Sequence, residues 1–211
     1  MILKAFPSGP FDTNAYVVVC TKTNQAVIID PAPDSFNKIS QFIEDEKLKP
    51  VAIWLTHSHW DHIADTSKIV EKYHLPVYIH PLDAPNLQSP GSDHLPCWIS
   101  IQGVTPTHLI NQGDQLNAGD LSFNVIHTPG HTPGGVCFYC PAENLLISGD
   151  TLFKGTIGNL SFPTAVPDKM WPSLAKLATL PPETRVYPGH GDPTTIGKEH
   201  WLGRAEELFG R

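Results

Sequence analysis

Thr56-His57-Ser58-His59-Trp60-Asp61-His62 sets three histidines and a carboxylate in the frame H-x-H-x-D-H, and His131, Asp150 and His190 follow in glycine-rich turns. Imidazole and carboxylate groups ligate zinc and its transition-metal neighbours, and a tetrahedral site takes three or four of them. The set is large enough for two ions. Residues two apart in an extended or turn segment can aim two imidazoles at one ion, so His57 and His59, joined by His131, suit a first metal. Adjacent Asp61 and His62, joined by His190, suit a second. Asp150, with two carboxylate oxygens, can serve both ions as a bridge. Two divalent ions against two carboxylates and a bridging hydroxide leave a net positive centre, suited to polarising a carbonyl and stabilising oxyanion charge. Asp61 has a second expected task, to orient that hydroxide or accept its proton.

The elements around these residues are what must position them. Val51 to Thr56 is an almost unbroken apolar run, the pattern of a buried central strand, and His57 stands where it ends. A helix is expected from about Ile63 to Tyr73, so Asp61 and His62 fall at its start. Leu121 to Ile126, Leu145 to Ser148 and Val186 to Pro188 read as further strands, ending respectively at the Pro-Gly turns around His131, at Asp150 and at His190. Rigid strands that end in irregular loops are a common support for binding groups. Other strands are expected at Ile2 to Phe6, Ala15 to Cys20, Gln25 to Ile29, Pro76 to Ile79 and Gly135 to Tyr139. Helices are expected at Phe36 to Glu46 and Lys169 to Ala178. The proline-rich stretch from Asp83 to Thr107 lacks periodicity and reads as a loop able to overhang the metals and shape a substrate pocket.

The motifs and their order resemble the metallo-beta-lactamase superfamily, and within it the glyoxalase II-like (hydroxyacylglutathione hydrolase-like) small metallohydrolases. The resemblance is carried by Phe11-Asp-Thr-Asn14, Val27-Ile-Ile-Asp30-Pro, Thr56 to His62, Thr128-Pro-Gly-His131-Thr-Pro-Gly134, Ser148-Gly-Asp150-Thr-Leu-Phe153 and Pro188-Gly-His190-Gly, which together span almost the whole chain. It implies an α/β fold, a four-layer αββα sandwich with the metals at one edge, and the same ligand division as above. It also implies a dinuclear metal-dependent hydrolase that cleaves a thioester such as an acyl-glutathione by attack of a metal-bridging hydroxide. Zinc leads as the metal, with iron or manganese as alternatives. Other readings within the resemblance are a mononuclear iron persulfide dioxygenase and a beta-lactam or phosphodiester hydrolase; a noncatalytic metal-binding protein stands outside it. Too few residues follow His190 for the helical domain of a full-length glyoxalase II, so residues 1–211 are expected to form one catalytic domain. Where relatives have a Gly-Arg-x-Asp pattern, this chain has Gly158-Asn159-Leu160-Ser161, and the glutathione grip is not carried over.

Composition narrows the partners. A formal charge of −7 without any basic block disfavours a phosphate backbone, so a small-molecule substrate is expected and nucleic acid is not. No stretch has the apolar length of a membrane span, and four cysteines make no secreted disulfide framework, which points to a soluble cytoplasmic enzyme. Cys137-Phe-Tyr-Cys140 has redox-pair spacing but lies in a strand pattern, where core thiols are expected. His127 is expected to be structural, and His74, His80, His94, His108 and His200, which show no ligand pairing, are expected to hydrogen-bond locally or face water. Asp30 either braces the metal-bearing loop by hydrogen bonding or makes a local turn before Pro31. Lys154 and Lys169 are the cations available to attract an anionic substrate.

Overall fold

The computed structural model describes residues 1–210. A first sheet holds six strands in chain order, β1 (Ile2–Ser8), β2 (Thr13–Cys20), β3 (Gln25–Ile29), β4 (Lys49–Trp54), β5 (Val77–Ile79) and β6 (His108–Leu109). The β1–β2–β3 meander is antiparallel, and β3 to β6 run parallel to one another. The second sheet draws on β7 (Gln115–Ala118), β8 (Leu121–His127), β9 (Val136–Cys140) and β10 (Leu145–Gly149). After a short hairpin of β11 (Leu152–Phe153) and β12 (Thr156–Ile157), it is completed by β13 (Arg185–Pro188) and β14 (Thr194–Thr195), in the order β14-β13-β10-β9-β8-β7.

Alternation along the strands explains the layers. On β2 and β3, Tyr16, Val18, Val27 and Ile29 turn inward to a core shared with Phe123 and Phe138 of the second sheet, while Val17, Val19 and Ile28 turn outward. Trp54 fills the centre, its ring 5.3 Å from Phe123 and 5.4 Å from Phe138. Both faces of β2 are therefore covered, and all eight of its residues are buried. The outer face of the first sheet is closed by α1 (Phe36–Asp45), which buries Ile39 and Ile43 one turn apart. The segment after His59 adds α2 (Trp60–Ile63) and α3 (Thr66–Tyr73), and α4 (Ala84–Gln88) follows β5. The outer face of the second sheet is closed by α5 (Pro167–Leu177) and α6 (Ala205–Phe209). Met170, Leu174 and Leu177 of α5 pack there against Leu146 and Val186. The result is the expected αββα sandwich.

Three local expectations need correction. The helix expected from Ile63 is two helices, and Asp61 and His62 lie inside the first of them. The break falls at Asp65, whose N–H leaves the helical ladder for the carbonyl of Pro31, while its carboxylate accepts from Phe36 N–H and Lys68 Nζ. The stretch from Asp83 to Thr107 is not wholly irregular: it opens with α4, and Val104 packs on the first core. The short strands β6, β7, β11, β12 and β14 were not anticipated, because two to four residues carry too little periodicity to register. Cys137 and Cys140 are free, and they point to opposite faces of β9, so they cannot act as a pair.

Candidate metal centre

Five strands that run in one direction end at the same edge of the sandwich. From the first sheet, β3 delivers Asp30 and β4 delivers His57 and His59. From the second, β8 leads to His131, β10 to Asp150 and β13 to His190. Helix α2 adds Asp61 and His62. All seven residues singled out from the sequence therefore meet in one place. The ligand atoms of His57, His59 and His131 lie within 4.8 Å of one another, and so do those of Asp61, His62 and His190. Asp150 sits between the groups, with Oδ2 3.4 Å from His131 Nε2 and 3.5 Å from His190 Nε2, and Oδ1 3.4 Å from His62 Nε2.

The Nε2 atoms of His57, His59 and His131 and Oδ1 of Asp150 are buried without a hydrogen-bond partner. Each such atom costs about 1–3 kcal/mol if nothing satisfies it, so three imidazole nitrogens gathered within 4.8 Å, with a carboxylate oxygen beside them, would be a severe fault in a protein interior. A cation among the three imidazoles satisfies their nitrogens at once, and one on the His62 side would take Asp150 Oδ1. The spacing agrees: ligands at the usual zinc distance stand about 3.3–3.4 Å apart along a tetrahedron edge, and the Asp150 contacts to His62, His131 and His190, at 3.4–3.5 Å, are close to it. Space is reserved as well. A Cβ on Gly189 would come within 2.7 Å of His62 Cε1 and collide with Asp150, so the turn before His190 admits only glycine.

The outer nitrogen of four of these imidazoles is tied down. His131 Nδ1 donates to Asn159 O at 2.8 Å and His190 Nδ1 to Phe11 O at 3.0 Å. His62 Nδ1 donates to Asp30 Oδ2 at 2.9 Å. Thr56 Oγ1 donates to Asp30 at 2.6 Å and in turn accepts from His57 Nδ1 at 3.0 Å. Protonation at Nδ1 leaves Nε2 with its lone pair aimed at the centre. Asp30 thus sets the orientation of His57 through Thr56 and of His62 directly, and it also accepts the Thr56 N–H at 2.7 Å. It holds this position with φ at +48°, a backbone state an aspartate tolerates at some cost. Of its two expected roles, Asp30 takes the brace. It forms a third cluster with His57 and His62, but its oxygens are already engaged on their outer side.

A second brace was not anticipated from the sequence. Asp83, buried just before α4, accepts Ser58 N–H on Oδ2 at 3.1 Å and Gly134 N–H on Oδ1 at 2.6 Å. It bolts the loop carrying His57 and His59 to the loop carrying His131. Asn86 donates to the carbonyl of the same Ser58 at 2.6 Å and to Asp93 at 2.8 Å, while its Oδ1 accepts from Gly91 and Asp93 N–H. Thr13 was also missed; its hydroxyl donates to Asp61 Oδ2 at 2.7 Å. These residues lie far in sequence from the ligands they serve, so spacing could not reveal them.

Electrostatics divide the two groups. Burial pushes the His57 imidazole well down and that of His59 to about 3, which keeps both neutral and ready to ligate. For His190 burial opposes protonation, but hydrogen bonds to Asp150 and Asp61 raise it to about 9, so a cation bound there would displace the Nε2 proton to expose the lone pair. Burial likewise opposes ionisation of Asp61, yet His62 and the hydrogen bonds from His190 and Thr13 bring it to about 2. His127 is not a ligand. It stacks on His80 at 4.1 Å, and its Nε2 donates to Pro133 O.

A cavity of about 480 Å³ opens directly above these ligands, within the size range of small-molecule sites. Leu95, Pro96 and Trp98 from the Asp83 to Thr107 stretch line it, as expected for an overhanging loop. Lys154 does not line it and instead pairs with Asp192 at 3.0 Å. Among the described residues no helix is long and apolar enough to cross a membrane.

A two-sheet sandwich with clustered histidines and aspartates where its strands end defines a metal-dependent hydrolase. The chain belongs to the metallo-beta-lactamase superfamily, whose family model matches residues 8–190. Its fold is similar to that of the BLEG-1 B3 metallo-beta-lactamase, with TM-score 0.87 and 36% identity over 99% of this chain and 100% of that one. It is similar also to TTHA1623, solved in a di-iron-bound form, with TM-score 0.84 and 40% identity over 96% and 98% of the two chains. The hydroxyacylglutathione hydrolase of Nitrosomonas europaea is 34% identical over 90% of this chain, which spans 63% of that protein.

Proposed function

We propose that this chain is a dinuclear hydrolase of thioesters, with residues 1–211 forming one catalytic domain that acts on a small molecule in the cytoplasm. The observation that carries the dinuclear reading is the pair of ligand triads with Asp150 in contact with both. His57, His59 and His131 are assigned to the first ion and Asp61, His62 and His190 to the second, with Asp150 bridging. Zinc suits the histidine-rich set. Iron is the alternative favoured by the di-iron form of TTHA1623. Bound there, two divalent ions supply Lewis acidity for a carbonyl oxygen and a hydroxide at neutral pH.

The residues of the chain do the rest. The Nδ1 bonds to Asp30, Thr56, Asn159 and Phe11 hold the imidazoles against rotation, so the charged centre keeps its shape as the reaction proceeds. Asp61, steadied by Thr13, accepts a hydrogen bond from the attacking oxygen nucleophile and aims its lone pair at the carbonyl carbon. The carbon–sulfur bond then breaks and the thiolate leaves without a general acid, since a thiolate is stable near neutral pH.

Thioester cleavage is favoured by likeness to a hydroxyacylglutathione hydrolase across most of this chain. Likeness to BLEG-1 over its full length favours beta-lactam hydrolysis as a second reading. Metal quantification coupled to a panel of thioester, beta-lactam, persulfide and phosphodiester substrates separates them. The expected outcome is close to two ions per chain with thioester turnover dominant. Saturation at one ion, or dominance of another substrate, would overturn the assignment.

A further inference from the structure

The cavity above the metal centre has walls unlike its floor. Phe11, Trp60 and Trp98 touch one another there, with ring centroids 5.4 Å apart for Phe11–Trp60, 5.9 Å for Phe11–Trp98 and 5.1 Å for Trp60–Trp98. Phe162 packs edge-on against His59 at 5.4 Å and against His131 at 5.6 Å, and Phe153 lies 6.1 Å from His190. Aromatic surface therefore begins at the ligand rings themselves. Trp98 is 64% exposed and Phe11 is 50% exposed. Large rings left to water beside a concave site are costly unless something covers them.

The second observation is what the cavity lacks. Among the described residues, none that lines it is lysine or arginine, and its charged groups are those of the floor. A thiol carrier such as glutathione presents two carboxylates, whose recognition calls for cations. The cavity has none for them, in a chain whose net charge of −7 repels anions at longer range. Trp98 belongs to the loop whose Asp83 and Asn86 grip Ser58, between the ligands His57 and His59.

We propose that this cavity binds a bulky, uncharged acyl group, aromatic or branched aliphatic, and that the acyl group rather than the thiol carrier supplies most of the recognition. The inference rests on the hydrolase reading above for the reaction it serves. The reacting carbon must sit at the floor, so the substituent bonded to it lies among Phe162, Trp60 and Trp98. Hydroxide adds to the acyl carbon, the carbon–sulfur bond breaks, and the products are the apolar acid and the free thiol.

Two measurements test it. In the first, acetyl and phenylacetyl thioesters are compared on N-acetylcysteamine and on glutathione, with metal-loaded protein. Phenylacetyl should exceed acetyl by about a hundredfold in kcat/KM on either carrier, and the carriers should differ by less than about tenfold. Trp98→Ala should lower the acyl ratio about tenfold while metal content stays at the wild-type value; Trp98 is exposed, so the fold tolerates the change. A flat acyl ratio, or glutathione favoured by about a thousandfold, would overturn the proposal and leave the hydrolase reading intact. In the second, tryptophan fluorescence is titrated with phenylacetamide and acetamide, neutral probes that need no turnover. Phenylacetamide alone should shift the spectrum, and the shift should weaken in Trp98→Ala. That result without any thioester turnover would sink the hydrolase reading and keep the cavity assignment; equal responses to both amides would sink the cavity assignment.

Discussion

His57, His62, His131 and His190 each have the outer ring nitrogen fixed to a named acceptor, whereas Phe11 and Trp98, which face the same cavity, pack ring to ring and leave half or more of their surface exposed. The two regions obey different physics. Metal ligation is directional and short-ranged, so a ligand displaced by an ångström is lost, and every ligand needs a support behind it. Apolar contact is non-directional and scales with area, so a wall can be assembled from scattered segments and still work. Changes in the floor should therefore alter metal content and kcat without reordering substrates. Changes in the wall should reorder substrates without altering metal content.

Asp150→Ala is the hardest blow to the floor. It removes the carboxylate whose oxygens face His131 of one triad and His62 and His190 of the other. Retained metal should fall below one ion per chain, and kcat/KM should drop by about a thousandfold, roughly 4 kcal/mol, for every acyl group alike. Elemental analysis after dialysis checks the first part. A variant that kept both ions would show that Asp150 does not bridge.

Asp61→Asn probes the nucleophile's orientation with the shape of the floor preserved. The amide retains one oxygen for Thr13 but loses the charge that steers the nucleophile. Steady-state kinetics at saturating metal should give a fall in kcat of about three hundredfold, roughly 3.4 kcal/mol, with KM within a few-fold of wild type. Near-normal kcat would take Asp61 out of the mechanism.

The same contrast governs what could be read before the fold was known. The floor was legible because H-x-H-x-D-H and three strand-end motifs concentrate unusual residue types into short, rigid segments whose spacing carries geometry. The long strands were legible for a related reason: β2, β3 and the second half of β4 are buried on both faces and read as near-continuous apolar runs. The braces were harder. Asp83 and Asn86 look like ordinary loop polar residues until Ser58, twenty-five or more positions earlier, is seen against them. The wall was hardest, since Phe11, Trp60, Trp98 and Phe162 come from four separate segments and an aromatic residue in a loop has no period. Asp65 taught a smaller lesson. Its N–H found Pro31 across the fold, a long-range partner that overrode local helix propensity and split one expected helix into two.

Asp83 offers a pH test of the brace between the metal loops. Burial raises its carboxyl from the ordinary 3.8 to about 6, against the lowering effect of the Gly134 and Ser58 N–H groups. A folded pKa above the unfolded one means that this group's stabilisation is complete below about pH 4 and is lost as pH rises through about 6. Asn at this position does not titrate. In metal-free protein, the wild type minus Asp83→Asn difference in unfolding free energy should therefore shrink by about 2 kcal/mol between pH 4.5 and 7.5. Urea unfolding at the two pH values measures it. An unchanged difference would mean that Asp83 is not strained by burial.

Asn86 joins floor to wall, and its removal should give the smallest and most telling effect. Its amide N–H₂ holds the Ser58 carbonyl and Asp93, and its oxygen holds the backbone that leads on to Leu95 and Trp98. Asp83 still grips Ser58 N–H after Asn86→Ala, so the ligands His57 and His59 keep one anchor. The loop bearing Trp98 loses its own. Loss of these hydrogen bonds should cost about 1–2 kcal/mol of stability, with metal content unchanged. The phenylacetyl-to-acetyl ratio should fall a few-fold, since the wall still exists but is less firmly placed. If the ratio holds while metal content falls, the floor depends on Asn86 more than the wall does, and the division between a braced floor and a tethered wall is wrong.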